Sequence, residues 1–182
     1  MDKKIILDKK MLAITIDRLC QELIENHGNF DNTVLLGLQP RGVFLAERIQ
    51  TRLQEFLKKP IKLGKLDITF HRDDFRRRSE PLKASKTEVP FLIEGNKVIL
   101  VDDVLFTGRS VRAALDAMVT FGRPQGVELL ALIDRKYTRD LPIQADYVGK
   151  QINSMLSQKV IVDWKGLENA KEDCVWLINQ EG

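Results

Sequence analysis

Apolar residues recur at steps of three and four early in the chain, at Leu12, Ile16, Leu19, Cys20, Leu23 and Ile24. This spacing predicts an amphipathic helix over 11–25, with Asp8 placed to cap its first turn and the polar His27-Gly28-Asn29 ending it. Residues 33–38 form a short apolar run of strand length, and 43–57 returns to helical spacing with Ala46, Ile49, Leu53 and Phe56 on the inward face. Residues 61–70 read as a further strand. From 71 to 90 the chain is dense in charge, holds Pro81 and Pro90 and keeps no period, which is the pattern of a mobile loop. A strand over 97–101, a helical stretch after Ser110 and a strand over 127–133 follow, so the centre alternates as parallel sheets do. Residues 137–152 look irregular. Two late strands, 159–164 and 174–179, flank a polar, glycine-containing link and either complete the sheet or form a small cap.

Composition adds bounds. At 182 residues and 43% apolar, the chain fits one folded domain over 1–182. A formal net charge of +3 permits a polyanionic partner without requiring one. The two cysteines, Cys20 and Cys174, stand far apart in a sequence with no signal-peptide pattern, which predicts free core thiols and a cytoplasmic location. No apolar run approaches the roughly 20 residues of a membrane helix. His27 and His71 have no spaced partners, so no protein-borne metal site is assigned.

The chemistry concentrates in Val98-Ile-Leu-Val-Asp102-Asp103-Val-Leu-Phe-Thr107-Gly108-Arg-Ser110. An apolar strand buried on both faces delivers two carboxylates to the rim where open α/β sheets bind ligands. Thr107, Gly108 and Ser110 then lead into a helix, whose free N–H groups and dipole attract an anion. Acids for hydroxyls and amides for a phosphate together describe a sugar phosphate. A triphosphatase reading needs an earlier phosphate loop ending in glycine, lysine and a hydroxyl residue, and neither glycine pair at 28–37 or 37–42 leads into one. A receiver-domain reading leaves Thr-Gly-Arg-Ser unexplained, and the plainest alternative makes the acids ordinary strand-end caps.

Val98 to Ser110 resembles the diphosphoribose-binding motif of type I phosphoribosyltransferases. Gly37-Leu-Gln-Pro-Arg41-Gly42, Asp67-Ile-Thr-Phe-His-Arg72-Asp73-Asp74 and Leu141-Pro142-Ile-Gln-Ala-Asp146-Tyr-Val-Gly149-Lys150 narrow the resemblance to the PyrR family of bifunctional uracil phosphoribosyltransferases and pyrimidine-operon regulators. The resemblance implies an α/β fold of type I phosphoribosyltransferase form, a mostly parallel central sheet flanked by helices with a small hood and a flexible loop. It implies transfer of phosphoribosyl from phosphoribosyl diphosphate to uracil, giving UMP and diphosphate, with Mg2+ arriving largely on the donor.

The same resemblance distributes roles. Asp102 and Asp103 meet the ribose hydroxyls, and Val104, Leu105, Phe106, Thr107, Gly108, Arg109 and Ser110 form the 5'-phosphate loop. Gln39, Pro40, Arg41 and Gly42 are the diphosphate loop, with Arg41 as the clamp and Arg72 as a further cation from the mobile segment that also holds Arg76, Arg77, Arg78, Lys83 and Lys86. Phe106, Asp134 and Arg135 lie where relatives recognise the base. Phe106 stands where several purine-specific relatives place an acid, and uracil's relatively acidic N1–H has less need of a strong base, which tilts the acceptor toward a pyrimidine. The regulatory activity implied is binding of pyrimidine-operon messenger RNA in the presence of UMP. Its surface carries Asp17, Gln21, Asn26 and Gln144 where RNA-binding relatives carry hydroxyl, imidazole or guanidinium groups, while 135–139 keeps cationic and stacking character. A regulator with a sensing rather than working site, and transfer to another base, stay open as alternatives. Relatives assemble as homo-oligomers.

Overall fold

A computed structural model describes residues 3–71 and 85–179. Among these described residues, eight strands and three α-helices run in the order β1 (Lys3–Leu7), α1 (Lys9–His27), β2 (Thr33–Leu38), α2 (Gly42–Leu57), β3 (Leu63–Leu66), β4 (Lys97–Leu105), α3 (Arg109–Met118), β5 (Gly126–Lys136), β6 (Tyr147–Asn153), β7 (Gln158–Asp163) and β8 (Cys174–Asn179). Asp8 caps α1 by accepting from the Met11 amide at 2.8 Å, as its position before the helix predicts.

Five strands form an all-parallel sheet in the order β3-β2-β4-β5-β6. From β2 the chain moves outward to β3, and from β4 it moves the other way to β5 and β6. The order therefore reverses between β2 and β4, and such a switch point opens a crevice at the carboxyl ends of the strands.

Successive strand residues leave on opposite faces, so an unbroken apolar run serves two cores at once. Leu35, Ile99, Val101, Leu130 and Leu132 pack with α1 and α2, while Val34, Leu36, Val98, Leu100, Leu129 and Ala131 pack with α3. All are buried. Each Leu, Ile or Val so enclosed contributes about 1.5–3 kcal/mol.

The remaining three strands make an antiparallel sheet, β1-β8-β7, which is the hood. Val160, Val162, Trp164 and Val175 join its inner face to the α1–α2 core. A guanidinium locks the junction from the other side. Arg48 of α2 meets both oxygens of Asp173, at 3.0 and 2.9 Å, and lies over the Trp164 ring at 4.2 Å. Burial pushes the Asp173 carboxyl up, but the Arg48 guanidinium, the Lys165 amide and the charges on both outweigh it and hold the group below the usual carboxylate range.

Several boundaries differ from the sequence reading. The stretch 137–152 is not irregular throughout, because Tyr147–Asn153 is the parallel edge strand β6. It carries no apolar run since only Tyr147 and Ile152 are buried, and Arg18 covers it by donating to the Val148 and Gly149 carbonyls at 3.0 and 2.6 Å. Residues 61–70 hold only the four-residue β3 before a short 3-10 turn at Thr69–His71. Phe56 does not turn inward; it is exposed beneath the Arg52 guanidinium, 4.8 Å away. The N-terminal strand β1 is missed by periodicity because four of its five residues are not buried. Both cysteines are free and buried, as expected.

Candidate active site at the sheet switch point

The turn after β2 leads directly into α2, with the Gln39–Pro40 peptide in the cis form. Gly42 lets that helix start against β4. A Cβ there would sit 2.4 Å from the Val101 carbonyl oxygen and 3.0 Å from the Asp102 Cα, a distance no side chain tolerates. The close approach brings Arg41 to the acids, with its Nε 3.3 Å from Asp103 Oδ2.

β4 does not stop before the acids; it continues through them to Leu105. Adjacent strand residues diverge, so the two carboxylates separate. Asp103 is buried against Arg41. Asp102 accepts from the Asp103 amide at 3.0 Å and lines a cavity of about 230 Å³ shared with Val104, Leu105, Phe106, Thr107, Gly108, Ser110 and Val111. Burial raises the Asp103 carboxyl above the usual carboxylate range, and the Arg41 charge opposes the rise.

The loop beyond β4 turns at Gly108, whose φ of +90° precedes α3. A Cβ at this position would meet the Ile143 side chain at 3.3 Å, so glycine answers both the left-handed backbone and the crowding. Segment 138–141 clasps the same loop. The Asp140 and Leu141 amides donate to the Thr107 carbonyl at 3.0 and 3.2 Å, and Arg109 Nε meets Asp140 at 2.9 Å.

Arg139 supplies most of the clasp. Its guanidinium donates to the Ile143 carbonyl at 2.9 Å, the Arg135 carbonyl at 3.1 Å, the Leu105 carbonyl at 3.3 Å, the Phe106 carbonyl and the Asp134 carboxylate. Asp134 is thereby committed to Arg139, with Gln151 also within 3.4 Å. Arg135 lies over the Phe106 ring at 4.0 Å and donates to Ser154 Oγ at 2.7 Å and the Met155 carbonyl at 2.9 Å. Burial pushes its guanidinium down from its ordinary value.

The structure thus brings together Arg41, Gly42, Asp102 and Asp103, and Asp102 joins them to the 104–110 loop, where Phe106 lies under Arg135. Gln39 is tied elsewhere, donating to the Lys86 carbonyl at 2.6 Å. Arg72 lies outside the described residues, as do Arg76, Arg77, Arg78 and Lys83. Two further carboxylates are given no role by the motifs, although Asp67 opens one of the quoted segments. Asp67 accepts from the Thr69 amide and hydroxyl and from the Ser85 amide, at 3.0, 2.6 and 3.0 Å. Glu168, in the hood link, meets Arg41 Nη1 at 3.0 Å. Among the described residues no group of three or more side chains is arranged to hold a metal ion. The carboxylates at 102 and 103 are nonetheless hard oxygen donors of the kind that suit a cation such as Mg2+.

A family model for the phosphoribosyl transferase domain matches residues 2–167. The curated relatives named Bifunctional protein PyrR include those of Geobacter sp. (strain M21), 44% identical and spanning 88% of this chain and 90% of that one. Those of Haemophilus ducreyi and Bacillus subtilis are 46% and 42% identical, each across 88% of this chain and 89% of the relative. The chain belongs to the PyrR family. Its fold is that of type I phosphoribosyltransferases. The hypoxanthine phosphoribosyltransferase of Trypanosoma cruzi superposes with a TM-score of 0.73 at 18% identity, over 97% of each chain. A hypoxanthine phosphoribosyltransferase from Staphylococcus aureus gives 0.70 at 17% identity, over 94% of this chain and 90% of that one.

For a PyrR chain, the surface that the sequence assigns to RNA is only partly free. Arg135 and Arg139 turn inward, while Tyr137 is 89% exposed. On α1, Asp17 is bound to Arg52, and Asn26 donates to the Glu22 carbonyl at 3.0 Å. No helix among the described residues is long and apolar enough to cross a membrane.

Proposed function

We propose that this PyrR protein transfers phosphoribosyl from phosphoribosyl diphosphate to uracil, forming UMP and diphosphate in the cytoplasm, and regulates a pyrimidine operon by binding its messenger RNA when UMP is present. The observation that carries the catalytic reading is the 3.3 Å contact of Arg41 with Asp103 at the sheet switch point, beside the cavity formed by Asp102 and the Thr107-Gly108 loop. A helix N-terminus, two hydroxyls and a left-handed glycine favour the 5'-phosphate at that loop. The acids then lie along the ribose and Arg41 at the diphosphate.

Uracil N1 bonds to the ribose anomeric carbon as the bond to diphosphate breaks, and the N1 proton passes to solvent. The ribose gains positive charge on the way. Asp102 and Asp103, fixed before the reaction starts, stabilise that charge, and Arg41 takes the charge gathering on the leaving group. When bound, Mg2+ would add positive charge against the leaving group, and the Asp102 and Asp103 carboxylates would be its oxygen donors on the protein side. Phe106 under Arg135 forms a flat cationic wall for the base, and its position in the motif offers a ring in place of a carboxylate. Asp134, committed to Arg139, serves the base indirectly by fixing this wall. The protein works as a homo-oligomer.

A base panel tests the acceptor. With phosphoribosyl diphosphate and Mg2+ supplied, uracil is expected to be consumed at least tenfold more efficiently than hypoxanthine, guanine or adenine. A purine preference would replace the uracil reading with its rival.

A further inference from the structure

Arg41, the guanidinium that the reading above gives to diphosphate, already holds three acceptors. Its Nε meets Asp103 Oδ2 at 3.3 Å, its Nη1 meets Glu168 Oε1 at 3.0 Å, and its Nη2 donates to the Val162 carbonyl. Two of the three come from the hood side. Val162 is the last but one residue of β7, and Glu168 stands in the link between β7 and β8.

That link is built rather than slack. The Leu167 amide donates to the Trp164 carbonyl at 3.0 Å, the Ala170 amide to the Leu167 carbonyl at 2.7 Å, and the Gly166 amide to the Ala170 carbonyl at 3.2 Å. The Lys165 amide donates to Asp173, the same carboxylate that Arg48 grips. Glu168 and Asn169 hold φ of +47° and +65°, a conformation that residues with a side chain adopt where their surroundings impose it. The result is a carboxylate presented to Arg41 from a compact loop. It is also the most solvent-accessible partner that Arg41 has, since the Glu168 side chain is 74% exposed and that of Asp103 only 10%.

These contacts make two of the three acceptors permanent and one exchangeable. Asp103 lies in β4 and the Val162 carbonyl belongs to β7, so neither leaves without disturbing a sheet. Glu168 is able to swing into water at small cost. A diphosphate oxygen approaching Arg41 meets that carboxylate first, because two anions cannot share one N–H edge of a guanidinium.

We propose that Glu168 is a positioning residue that acts through Arg41: it holds the guanidinium beside Asp103 between turnovers, yields its place to the diphosphate of the donor, and returns when diphosphate departs. The proposal rests on the assignment of Arg41 to diphosphate. It has an unusual sign, in that removing the charge improves binding. Glu168 sets the affinity of the donor site downward and speeds the loss of product.

The test compares wild type with Glu168→Gln, which keeps length and shape. The KM for phosphoribosyl diphosphate is expected to fall by about two- to fivefold, the range of an exposed ion pair, and the inhibition constant for diphosphate by a similar factor. The value of kcat is expected to stay level or drop. Raising the salt concentration closes the gap between the two proteins, since the pair is exposed. An unchanged or higher KM together with unchanged diphosphate inhibition would overturn the proposal. Calorimetric binding of Mg-diphosphate to Arg41→Ala separates the two layers. If Arg41→Ala binds diphosphate as wild type does, the assignment of Arg41 fails and the Glu168 proposal falls with it. If Arg41→Ala binds more weakly while Glu168→Gln changes nothing, only the Glu168 proposal is lost. In the double variant the Glu168→Gln gain is expected to vanish.

Discussion

Asp103 is a single carboxylate held where stability and chemistry pull apart. Its pKa is raised because burial penalises the charge more than Arg41 relieves it. A group whose folded pKa exceeds its unfolded value costs stability above the folded pKa, and that cost disappears below the unfolded value of about 3.9. Asp103→Asn is therefore expected to unfold at a higher temperature than wild type at pH 7, with the gain shrinking as pH falls toward 4. Thermal melts across that window check the sign. A lower melting temperature at pH 7 would mean that the Arg41 contact outweighs desolvation. Asp102 lines the cavity instead of packing behind it. The sequence makes the pair look equivalent, and a strand that alternates its faces makes them different.

Among the elements, strands β2 and β8 and helices α1 and α2 fall within about two residues of where periodicity puts them, the tolerance with which helix ends are defined. The two helices and β2 are legible because each buries a contiguous face. β6 was not, since an edge strand half in water shows no apolar run, and its identity comes from pairing with β5. The stretch from the end of β5 into the next loop misleads in a different way. Its run of arginines reads as one cationic surface, yet Arg139 is spent on carbonyls at the end of β4 and Arg135 on Phe106, Ser154 and Met155. What the loop offers outward is Tyr137, with Lys136 beside it. An aromatic ring is suited to stack on an unpaired base, an interaction worth about 1–3 kcal/mol per base. Tyr137→Ala is accordingly expected to weaken binding to a pyrimidine-operon leader transcript by about tenfold or more, leaving the KM for phosphoribosyl diphosphate within twofold. Filter binding with and without UMP measures it. Equal transcript binding by the two proteins would remove the loop from the RNA surface.

At the scale of the whole molecule, the site exists because the strand order turns at β2 and β4. The motif residues around Asp102 were visible in the sequence as a group, since thirteen consecutive positions carry them. Arg41 stands 61 positions before Asp102 in the chain (102 − 41), and no local pattern joins the two. Only the parallel pairing of β2 with β4 and the close start of α2 at Gly42 bring them into contact. Glu168 comes from still farther along, across the hood, and is silent in the sequence for the same reason. The central claim is that these three parts form one donor site for transfer to uracil. The most direct test is uracil-dependent release of diphosphate from phosphoribosyl diphosphate by wild type, Asp102→Asn and Asp103→Asn, with folding checked by circular dichroism. Release by wild type, and a fall of about a hundredfold or more in each folded variant, is the predicted result. Release by both variants at the wild-type rate would contradict it.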